Sequence, residues 1–500
     1  MTPTGFAFDN SYARDLPGFY VPWQPEPVAS PQLLFVNRPL AEELQLPLGG
    51  SGDSGDTALA ALFSGNALPE GATPLAQAYA GHQFGQFSPK LGDGRALLVG
   101  EVIDRHGRRR DIAFKGSGRT PFSRNGDGKA AIGPMLREVL IGEAMHALGI
   151  PTTRALAVVA TGETVRRDRP LPGATLTRVA ASHLRVGTFE FFAAHADVEQ
   201  VRKLADYAIA RHDPQLAAAE NRYLGFLRAV AERQAALIAR WTQVGFIHGV
   251  MNTDNMSIPG ETIDYGPCAF MEAYDPRAVF SSIDETGRYA YDNQPNIARW
   301  NLARFAETLL PLLADDPQQA VALATEVIDA FPGRYRQHRL DGMRAKLGLA
   351  AEGDDDSDTA LVDDWLTLLY TNAVDFTLAW RRLADAAEGH PEPLQSMFAD
   401  RPRLDAWLAC WQARCTADDA AEGHGARRVE TMRRINPWLI PRNQRVEEAL
   451  EAASDRGDLA PFRQLLDALR HPYDERPEHA RYAEPATGAF MAEFRTFCGT

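Results

Sequence analysis

The sequence predicts an α+β protein with a small antiparallel β lobe that contains one important helix, followed by a larger, mostly helical lobe. Two observations support this division. Short apolar runs separated by glycine-rich turns lie between residues 71 and 186, as is typical of strands joined by hairpins. Apolar residues at helical spacing prevail from residue 187 onward. We therefore divide the chain into an N-terminal arm (1–70), the small lobe (71–186), the large lobe (187–350) and a helical C-terminal extension (351–500).

The composition limits the class of protein. A chain of 500 residues with 45% hydrophobic content can bury a large core. Its net charge of -14 disfavours broad contact with nucleic acids or anionic membranes, so we expect neither partner. The sequence has no long apolar run, and its beginning resembles neither a signal peptide nor an organelle presequence. Four cysteines are too few for a disulfide scaffold and match no zinc spacing. We predict a cytoplasmic monomer.

The first hairpin of the small lobe places several polar residues at the ends of strands. Two apolar runs lie within residues 96–114, separated by a polar turn. Gly92, Gly94 and Arg95 come just before the first strand, and Lys115 closes the second. Glycine can let a backbone approach a phosphate closely, because it has no side chain. An ordinary tight turn is the alternative interpretation.

A glycine-rich, basic loop over residues 115–129 leads into a well-marked helix that begins near Pro134. Glu138 lies in the first turns of this helix. Kinases hold a phosphate-binding lysine at the end of a strand by pairing it with a glutamate on the next helix. The same order predicts an ion pair between Lys115 and Glu138, with Glu143 as the competing partner and a solvent-exposed glutamate as the alternative.

The next strands carry two arginines toward the end of the small lobe. We predict a hairpin whose turn is Thr161–Glu163, and a further strand over residues 173–180 that contains Arg178. Arg185 follows in a loop. Single arginines usually lie in solvent, but several that converge beside a phosphate can bind it through paired hydrogen bonds.

A stretch in the large lobe resembles the metal-binding loops of protein kinases. The kinase pattern H-R-D-x-x-x-x-N ends in a magnesium-binding Asn, and a D-F-G loop with a second metal ligand soon follows. Asn255 stands at that spacing after His248, and Asp264-Tyr-Gly stands where D-F-G would. The sequence therefore predicts a protein-kinase-like bilobal fold, in which residues 71–186 are the N-lobe and 187–350 the C-lobe. A polar turn is the alternative for this stretch alone.

One departure from the kinase pattern bears on the reaction. Val250 occupies the position of the kinase aspartate that accepts the proton of the substrate hydroxyl, and valine cannot take a proton. Asp254, directly beside Asn255, is the candidate base in its place. We therefore predict that the site holds a nucleotide and a metal as a kinase does but catalyses a different transfer.

Three long strings make the comparison more specific. They are Tyr-Ala-Gly-His-Gln-Phe-Gly at 79–85, Lys-Gly-Ser-Gly-Arg-Thr-Pro-Phe-Ser-Arg at 115–124 and His-Gly-Val-Met-Asn-Thr-Asp-Asn-Met at 248–256. With these strings and the order of the other parts, the chain closely resembles the selenoprotein O family along nearly its whole length. That family comprises the YdiU-like protein adenylyltransferases, which are pseudokinases with a kinase-like fold.

The resemblance implies that ATP lies reversed relative to a kinase. AMP then passes to a Ser, Thr or Tyr hydroxyl of a protein substrate and pyrophosphate leaves, with UMP transfer from UTP as a further possibility. It also implies Mg²⁺ or Mn²⁺ bound by Asn255 and Asp264, with Asp254 as the proton acceptor. A conventional phosphotransferase and an inactive ATP-binding scaffold remain the alternatives. The implied nucleotide contacts are Gly92, Gly94, Arg95, Lys115, Asp127, Gly128, Arg178 and Arg185.

The resemblance also raises a redox question at the C-terminus. Cys498 occupies the position at which part of the family carries selenocysteine. A disulfide between this cysteine and Cys268, which follows the Asp-Tyr-Gly loop, would be transient in a reducing compartment. Cys410 and Cys415 are alternative partners, and an unpaired thiol is equally compatible with the sequence. Two polar stretches are also predicted to be loops, a mobile loop at 49–56 and a solvated loop at 352–358.

Overall fold

The structure, a computed structural model, describes residues 5–49, 52–195, 197–350, 353–422 and 427–497. It combines antiparallel sheets with many helices, as the sequence predicts. The strands are β1 (Tyr20–Pro22), β2 (Gln32–Val36), β3 (Leu75–Gln77), β4 (Gly81–Gln83), β5 (Gln86–Ser88), β6 (Ala96–Ile103), β7 (Arg109–Lys115), β8 (Ala130–Ala131), β9 (Arg154–Arg166), β10 (Pro170–Ala180), β11 (Phe246–Ile247) and β12 (Ala269–Phe270).

The main sheet has eight strands, seven of them in the order β1-β3-β6-β7-β10-β9-β2, while β8 pairs with β10. Both edge strands come from the first 70 residues. The segment predicted as an arm therefore also completes the sheet. Edge strands cover the backbone groups of their neighbours, which would otherwise be open to pairing with other chains.

The predicted turn at Thr161–Glu163 is wrong. β9 continues through these residues to Arg166 and then pairs with β10, so that the turn lies between Arg166 and Pro170. The register is interrupted there, because Ala160 pairs with Ala174 whereas Thr164 pairs with Pro172. Gly162 has a φ of 74°, which a glycine in a β-bulge adopts without strain.

Helices make up most of the remaining chain. The predicted helix after the basic loop is α4, and the long helix that precedes His248 is α7. No helix in the described ranges is long and apolar enough to cross a bilayer. The helices are α1 (Ser11–Asp15), α2 (Arg38–Glu43), α3 (Asp53–Ser64), α4 (Ile132–Ala147), α5 (Val186–Ala194), α6 (Val198–His212), α7 (Arg222–Gln243), α8 (Gln294–Leu313), α9 (Pro317–Leu347), α10 (Asp355–Thr371), α11 (Phe376–Ala387), α12 (Glu392–Gln395), α13 (Arg401–Glu422), α14 (Arg428–Ile435), α15 (Asn443–Arg456), α16 (Ala460–Leu469), α17 (Ala480–Ala483) and α18 (Gly488–Glu493).

The largest hydrophobic core joins the sheet to the helices around α7 and α8. It contains side chains of α4 together with α15 and α16 of the C-terminal extension. A second core is built around the buried indoles of Trp365, Trp380 and Trp411, and residues before the extension, among them Ile247 and Met343, contribute to it. The C-terminal extension therefore shares hydrophobic cores with the rest of the chain.

Neither polar stretch that the sequence predicts to be a loop is one throughout its described part. Asp53 begins α3, while residues 50 and 51 lie outside the described ranges. In the second stretch, Asp355 begins α10, although residue 352 is not described. Asp358 is buried and accepts hydrogen bonds from Arg344 at 2.7 Å and Arg414 at 2.8 Å. Partners distant in sequence thus offset the cost of burying this charge, which composition alone does not reveal.

Candidate active site

A cleft of ≈ 1020 Å³ separates the main sheet from the helical part of the chain. The residues predicted to bind nucleotide and metal come from six separate segments, and the structure brings all of them to this cleft. Val250 lies on its wall as well. The predicted residues that line it are Gly92, Gly94, Arg95, Lys115, Asp127, Gly128, Glu138, Arg178, Arg185, Asp254, Asn255 and Asp264.

The ion pair predicted between β7 and α4 is present. Lys115 Nζ donates to Glu138 Oε1 at 2.6 Å and to Asp264 Oδ1 at the same distance. Both the lysine and the glutamate are buried. The competing Glu143 instead accepts a hydrogen bond from Arg154 at 2.6 Å. Lys115 is therefore held between two carboxylates at the base of the cleft.

Asp264 lies at the centre of the positive charge in the cleft. Besides Lys115, its carboxylate contacts Arg178 Nη1 at 2.7 Å and Arg185 Nη1 at 3.8 Å. Burial alone would raise its pKa, but the charges of Lys115 and Arg178 together hold the pKa well below the usual range. The three cations outnumber the two carboxylates that they contact, Asp264 and Glu138, which favours the binding of phosphate groups.

A buried chain of hydrogen bonds behind the cleft fixes the position of Arg178. Its Nε donates to His183 Nε2 at 3.2 Å, and His183 Nδ1 lies 3.0 Å from Asp111 Oδ2. Asp111 in turn accepts a hydrogen bond from Arg211 at 2.6 Å. Burial lowers the pKa of His183 to about 4, so the ring is neutral near pH 7. The network assigns the proton to Nδ1, which leaves Nε2 free to accept from Arg178.

Asp254 is partly exposed to the cleft and has one unused hydrogen-bond acceptor. Its Oδ1 is buried without a hydrogen-bond partner, while Arg185 Nη1 donates to its backbone carbonyl at 2.9 Å. Burial raises the pKa of the carboxyl to about 7. The backbone of Gly81 packs directly on this side chain, because a Cβ there would lie 2.6 Å from Oδ1. A carboxylate in this setting is suited to accepting a proton.

Asn255 and Asp264 provide oxygen donors of the kind that Mg²⁺ and Mn²⁺ prefer. Asn255 Nδ2 donates to the carbonyl of Val250 at 2.9 Å, which leaves the amide oxygen available as a ligand. Within the described ranges no three His, Cys, Asp or Glu side chains form a metal-binding group. Two protein ligands, completed by phosphate oxygens and water, are a usual arrangement for a metal that enters with a nucleotide.

Packing requires glycine at two of the predicted nucleotide-binding positions. Gly92 has a φ of 62°, and a Cβ there would lie 2.2 Å from the Phe122 ring. Gly128 has a φ of 69° and packs on the backbone of Gly118. Next to it, Asp127 accepts hydrogen bonds from Arg167 at 2.9 and 3.1 Å. The tight turn that was the alternative interpretation for Gly92 and Gly94 is thus present. A tight turn is compatible with phosphate contact.

Sequence reasoning did not identify several residues on the cleft wall. Asn252 lines the cleft, and its Oδ1 accepts hydrogen bonds from Phe84 N at 3.0 Å and Tyr289 Oη at 2.7 Å. Arg137 of α4 lines it too and donates to Glu447 of the extension at 2.9 Å. The string at residues 79–85, which contains Phe84, was the sequence signal available for Asn252 and its hydrogen-bond partners. Nothing in the sequence points to the contact with the extension.

The predicted pair of Cys268 with Cys498 stays a prediction, because one of its two cysteines lies outside the described residues. Cys268 is fully buried, and burial raises the pKa of its thiol to about 11. A thiol with these properties is poorly suited to redox exchange, because exchange requires an accessible thiolate. Cys498 lies outside the described residues. Cys410 is exposed and Cys415 is buried, both as free thiols.

Comparison with known proteins identifies the family. A family model described as "Protein adenylyltransferase SelO" matches residues 5–470. The chain belongs to this family. It is therefore a nucleotidyltransferase of the protein adenylyltransferase type.

Curated relatives resemble the chain along their whole length. A Chromobacterium violaceum protein named "Protein nucleotidyltransferase YdiU" is 61% identical over 97% of this chain and 100% of its own length. A Cereibacter sphaeroides protein of the same name is 61% identical over 99% of this chain and its full length. One from Rhizobium meliloti is 55% identical over the same shares.

Proposed function

We propose that this family member transfers AMP from ATP to a Ser, Thr or Tyr hydroxyl of a protein substrate and releases pyrophosphate. The observation that carries the proposal is the placement of Asp254 and Val250 on one cleft. Val250 replaces the aspartate that serves as the base in a protein kinase. Asp254, whose Oδ1 is buried without a hydrogen-bond partner, lies beside Asn255 on the same cleft. Asp254 can therefore accept the proton of a substrate hydroxyl that approaches from a different direction than in a protein kinase.

In the proposed reaction, the hydroxyl oxygen attacks the α-phosphorus and forms the new P–O bond. The bond between the α-phosphorus and the oxygen that bridges to the β-phosphorus breaks, and its electron pair leaves with pyrophosphate. Asp254 accepts the hydroxyl proton. Lys115, Arg178 and Arg185 converge on Asp264, where they can stabilise the charge of the leaving group by direct hydrogen bonds.

A divalent ion, when bound, would neutralise phosphate charge and orient its oxygens. Asn255 and Asp264 are the residues that would hold it. We propose Mg²⁺ or Mn²⁺ as the ion and ATP as the main nucleotide, with UTP as a second donor. Asn255 and Asp264 supply oxygen ligands, which are of the type that both ions prefer.

We also propose that the two lobes correspond to those of a protein kinase. The Lys115–Glu138 pair between strand and helix, and the cleft that faces both metal-type loops, support this proposal. The domain boundaries, the monomeric state and the cytoplasmic location predicted from the sequence stay predictions.

Incubation with ATP labelled either at the α- or at the γ-phosphorus tests the reaction. Label from the α-position on protein, together with released pyrophosphate, is the expected result. Label from the γ-position would instead identify a phosphotransferase. Nucleotide binding without either label would identify a scaffold. An Asp254→Ala variant run in parallel excludes labelling by a contaminating enzyme, because it should lose the signal while still binding ATP.

A further inference from the structure

The hairpin formed by β4 and β5, residues 81–88, covers the loop that carries Asp254. Its backbone is tied to that loop at two points: His82 N donates to Thr253 Oγ1 at 2.7 Å, and Phe84 N donates to Asn252 Oδ1 at 3.0 Å. Thr253 and His82 also share Glu190, each at 2.6 Å from one of its carboxylate oxygens. The hairpin is therefore a fixed wall beside the proposed base.

Arg288 lies against the tip of this hairpin. Its guanidinium carbon is 3.6 Å from the position of a Cβ built on Gly85, next to Phe84 of the cleft wall. Arg288 also lies over the ring of Trp300, at 4.9 Å, and of Tyr289, at 5.7 Å. Ring faces on one side and the hairpin on the other limit the freedom of the guanidinium, which reduces the entropy lost when it binds a partner.

The charge of Arg288 has no acidic partner in the described part of the chain. Among the described residues, no Asp or Glu oxygen forms an ion pair with its guanidinium, and its Nε is buried without a hydrogen-bond partner. The nearby Asp284 accepts hydrogen bonds from the backbone amides of Arg288 and Tyr289. Arg304, on the other side of Trp300, is paired with Glu307 at 2.6 Å. Arg288 therefore carries a positive charge that is fixed in position and that no carboxylate pairs with among the described residues. The chain as a whole has a net charge of -14.

Exposed apolar side chains accompany this cation. Phe87 on the hairpin is 42% exposed, and Ile283, which lines the cleft, is 52% exposed. Large apolar side chains at a cleft mouth, next to a positioned arginine, are characteristic of protein-binding surfaces. Phe84 and Ile283 line the same cleft as Asp254. The surface formed by Phe84, Phe87, Ile283, Arg288 and Trp300 therefore adjoins that cleft.

We propose that this surface binds the acceptor protein, and that Arg288 selects acceptor segments with an Asp or Glu close to the modified hydroxyl. The inference rests on the proposed function, because it assigns the acceptor to this side of the cleft. A carboxylate fits the guanidinium by charge and by the paired geometry of its oxygens. A basic segment would be repelled, which makes Arg288 a specificity-determining residue.

Peptide binding and label transfer test the proposal separately. The probes are fluorescein-labelled peptides with a single Tyr, Thr or Ser flanked by Asp and Glu, and matched peptides with Asn and Gln or with Lys in those positions. With a non-hydrolysable ATP analogue bound, the protein should bind the acidic peptides most tightly. Arg288→Ala should weaken that binding about ten- to a hundredfold, as for loss of a charged hydrogen bond, and leave the neutral peptides nearly unaffected.

Two further variants test whether the effect depends on the charge of Arg288. Arg288→Glu should reverse the preference toward the lysine peptides. Arg299→Ala is the matched control, because Arg299 lies on the same helix as Trp300 and pairs with Asp329 at 2.6 Å. Arg299→Ala should leave the affinity for all the peptides unchanged. Equal binding of acidic and neutral peptides by the unmodified protein, or an acidic preference that survives in Arg288→Ala, would overturn the proposal. Absence of α-label transfer despite acidic-peptide binding would contradict only the proposed function.

Discussion

At the scale of single residues, the cleft is governed by the contrast between two aspartates. Asp264 is surrounded by Lys115, Arg178 and Arg185, which keep it ionised. One carboxylate oxygen of Asp254 is buried without a hydrogen-bond partner, and desolvation raises the pKa of this carboxyl to about 7. Different surroundings thus prepare one carboxylate for binding cations and the other for exchanging a proton.

Asp254→Asn tests this division at the proposed base. The amide keeps the size of the side chain but cannot accept the proton. We expect transfer of α-label to slow by about 10²–10⁴-fold, which is the usual contribution of a general base. ATP affinity, measured by calorimetry, should stay nearly unchanged because Asp254 is not an assigned nucleotide contact. Full transfer activity in this variant would show that Asp254 is only a structural carboxylate.

Lys115→Met tests the cation that joins β7 to α4. The substitution leaves Glu138 and Asp264 without their shared partner in a buried place. We expect ATP affinity to fall at least about tenfold, because a charged hydrogen bond is lost. Lys90→Glu, at an exposed lysine nearby, is the comparison and should have little effect. Equal losses in the two variants would indicate a general effect of net charge instead.

At the scale of elements, the antiparallel pairing of β7 and β10 explains why two cations meet. Lys115 pairs with Leu176, and Arg178 is two residues further along β10. Residues opposite each other, and residues two apart, point to the same face of a sheet. The register therefore presents both side chains to the cleft. The loop that follows β10 then returns His183 behind Arg178.

His183→Ala tests whether the hydrogen bond from Arg178 to His183 holds Arg178 in position. Arg178 Nε would be left buried without its acceptor, so we expect ATP affinity to fall by about five- to a hundredfold, in line with the cost of an unsatisfied buried donor. His183→Gln, which keeps an acceptor, should restore part of the affinity. His212→Ala removes another buried histidine, one that contacts Ser182 at 2.8 Å, and serves as the control for loss of stability alone. Equal ATP affinities in His183→Ala and His212→Ala would contradict the positioning role.

At the scale of the whole molecule, the extension contacts the cleft and shares the second core with residues that precede it. Arg137 of α4 links the cleft to Glu447 of α15. The second core buries Lys346, whose Nζ lies 4.8 Å from the ring of Trp380. Burial lowers the pKa of Lys346 to about 7, and the ring face acts in the opposite direction by favouring the charged amine.

Lys346 makes the stability of the protein depend on pH. In the unfolded chain the lysine has its ordinary pKa of 10.5, so between that pH and about 7 the unfolded state binds more protons than the folded state. The free energy of unfolding should therefore decrease as pH falls across this window and then level off below it. Since a tenfold change in equilibrium corresponds to about 1.4 kcal/mol, Lys346→Met should stabilise the protein by a few kcal/mol near pH 7.

Urea unfolding of both proteins at about pH 7 and about pH 10 measures the effect. The difference between Lys346→Met and the unmodified protein should be largest at the lower pH and shrink at the higher one. Lys203→Met, at an exposed lysine, should show no such change. A difference that is independent of pH would mean that the amine stays charged inside the core.

The sequence by itself determined the parts that depend on neighbouring residues. Local patterns located the β6–β7 hairpin, α4 and α7, and the spacing after His248 selected Asn255 and Asp264. Glu138 could be preferred to Glu143 because helical position is a local property. The long strings around the cleft were specific enough to identify the family, which the comparisons confirm.

Only the tertiary structure decided the parts that depend on contacts between distant segments. Asp358 is buried because Arg344 and Arg414 reach it, whereas its acidic neighbours suggest solvent. β9 passes through Thr161–Glu163 because pairing with β10 on both sides of these residues overrides the local turn preference. Composition and periodicity report the preferences of a segment. The free energy of burial, pairing and charge compensation depends on which other segments pack against it, and that is settled only when the chain has folded.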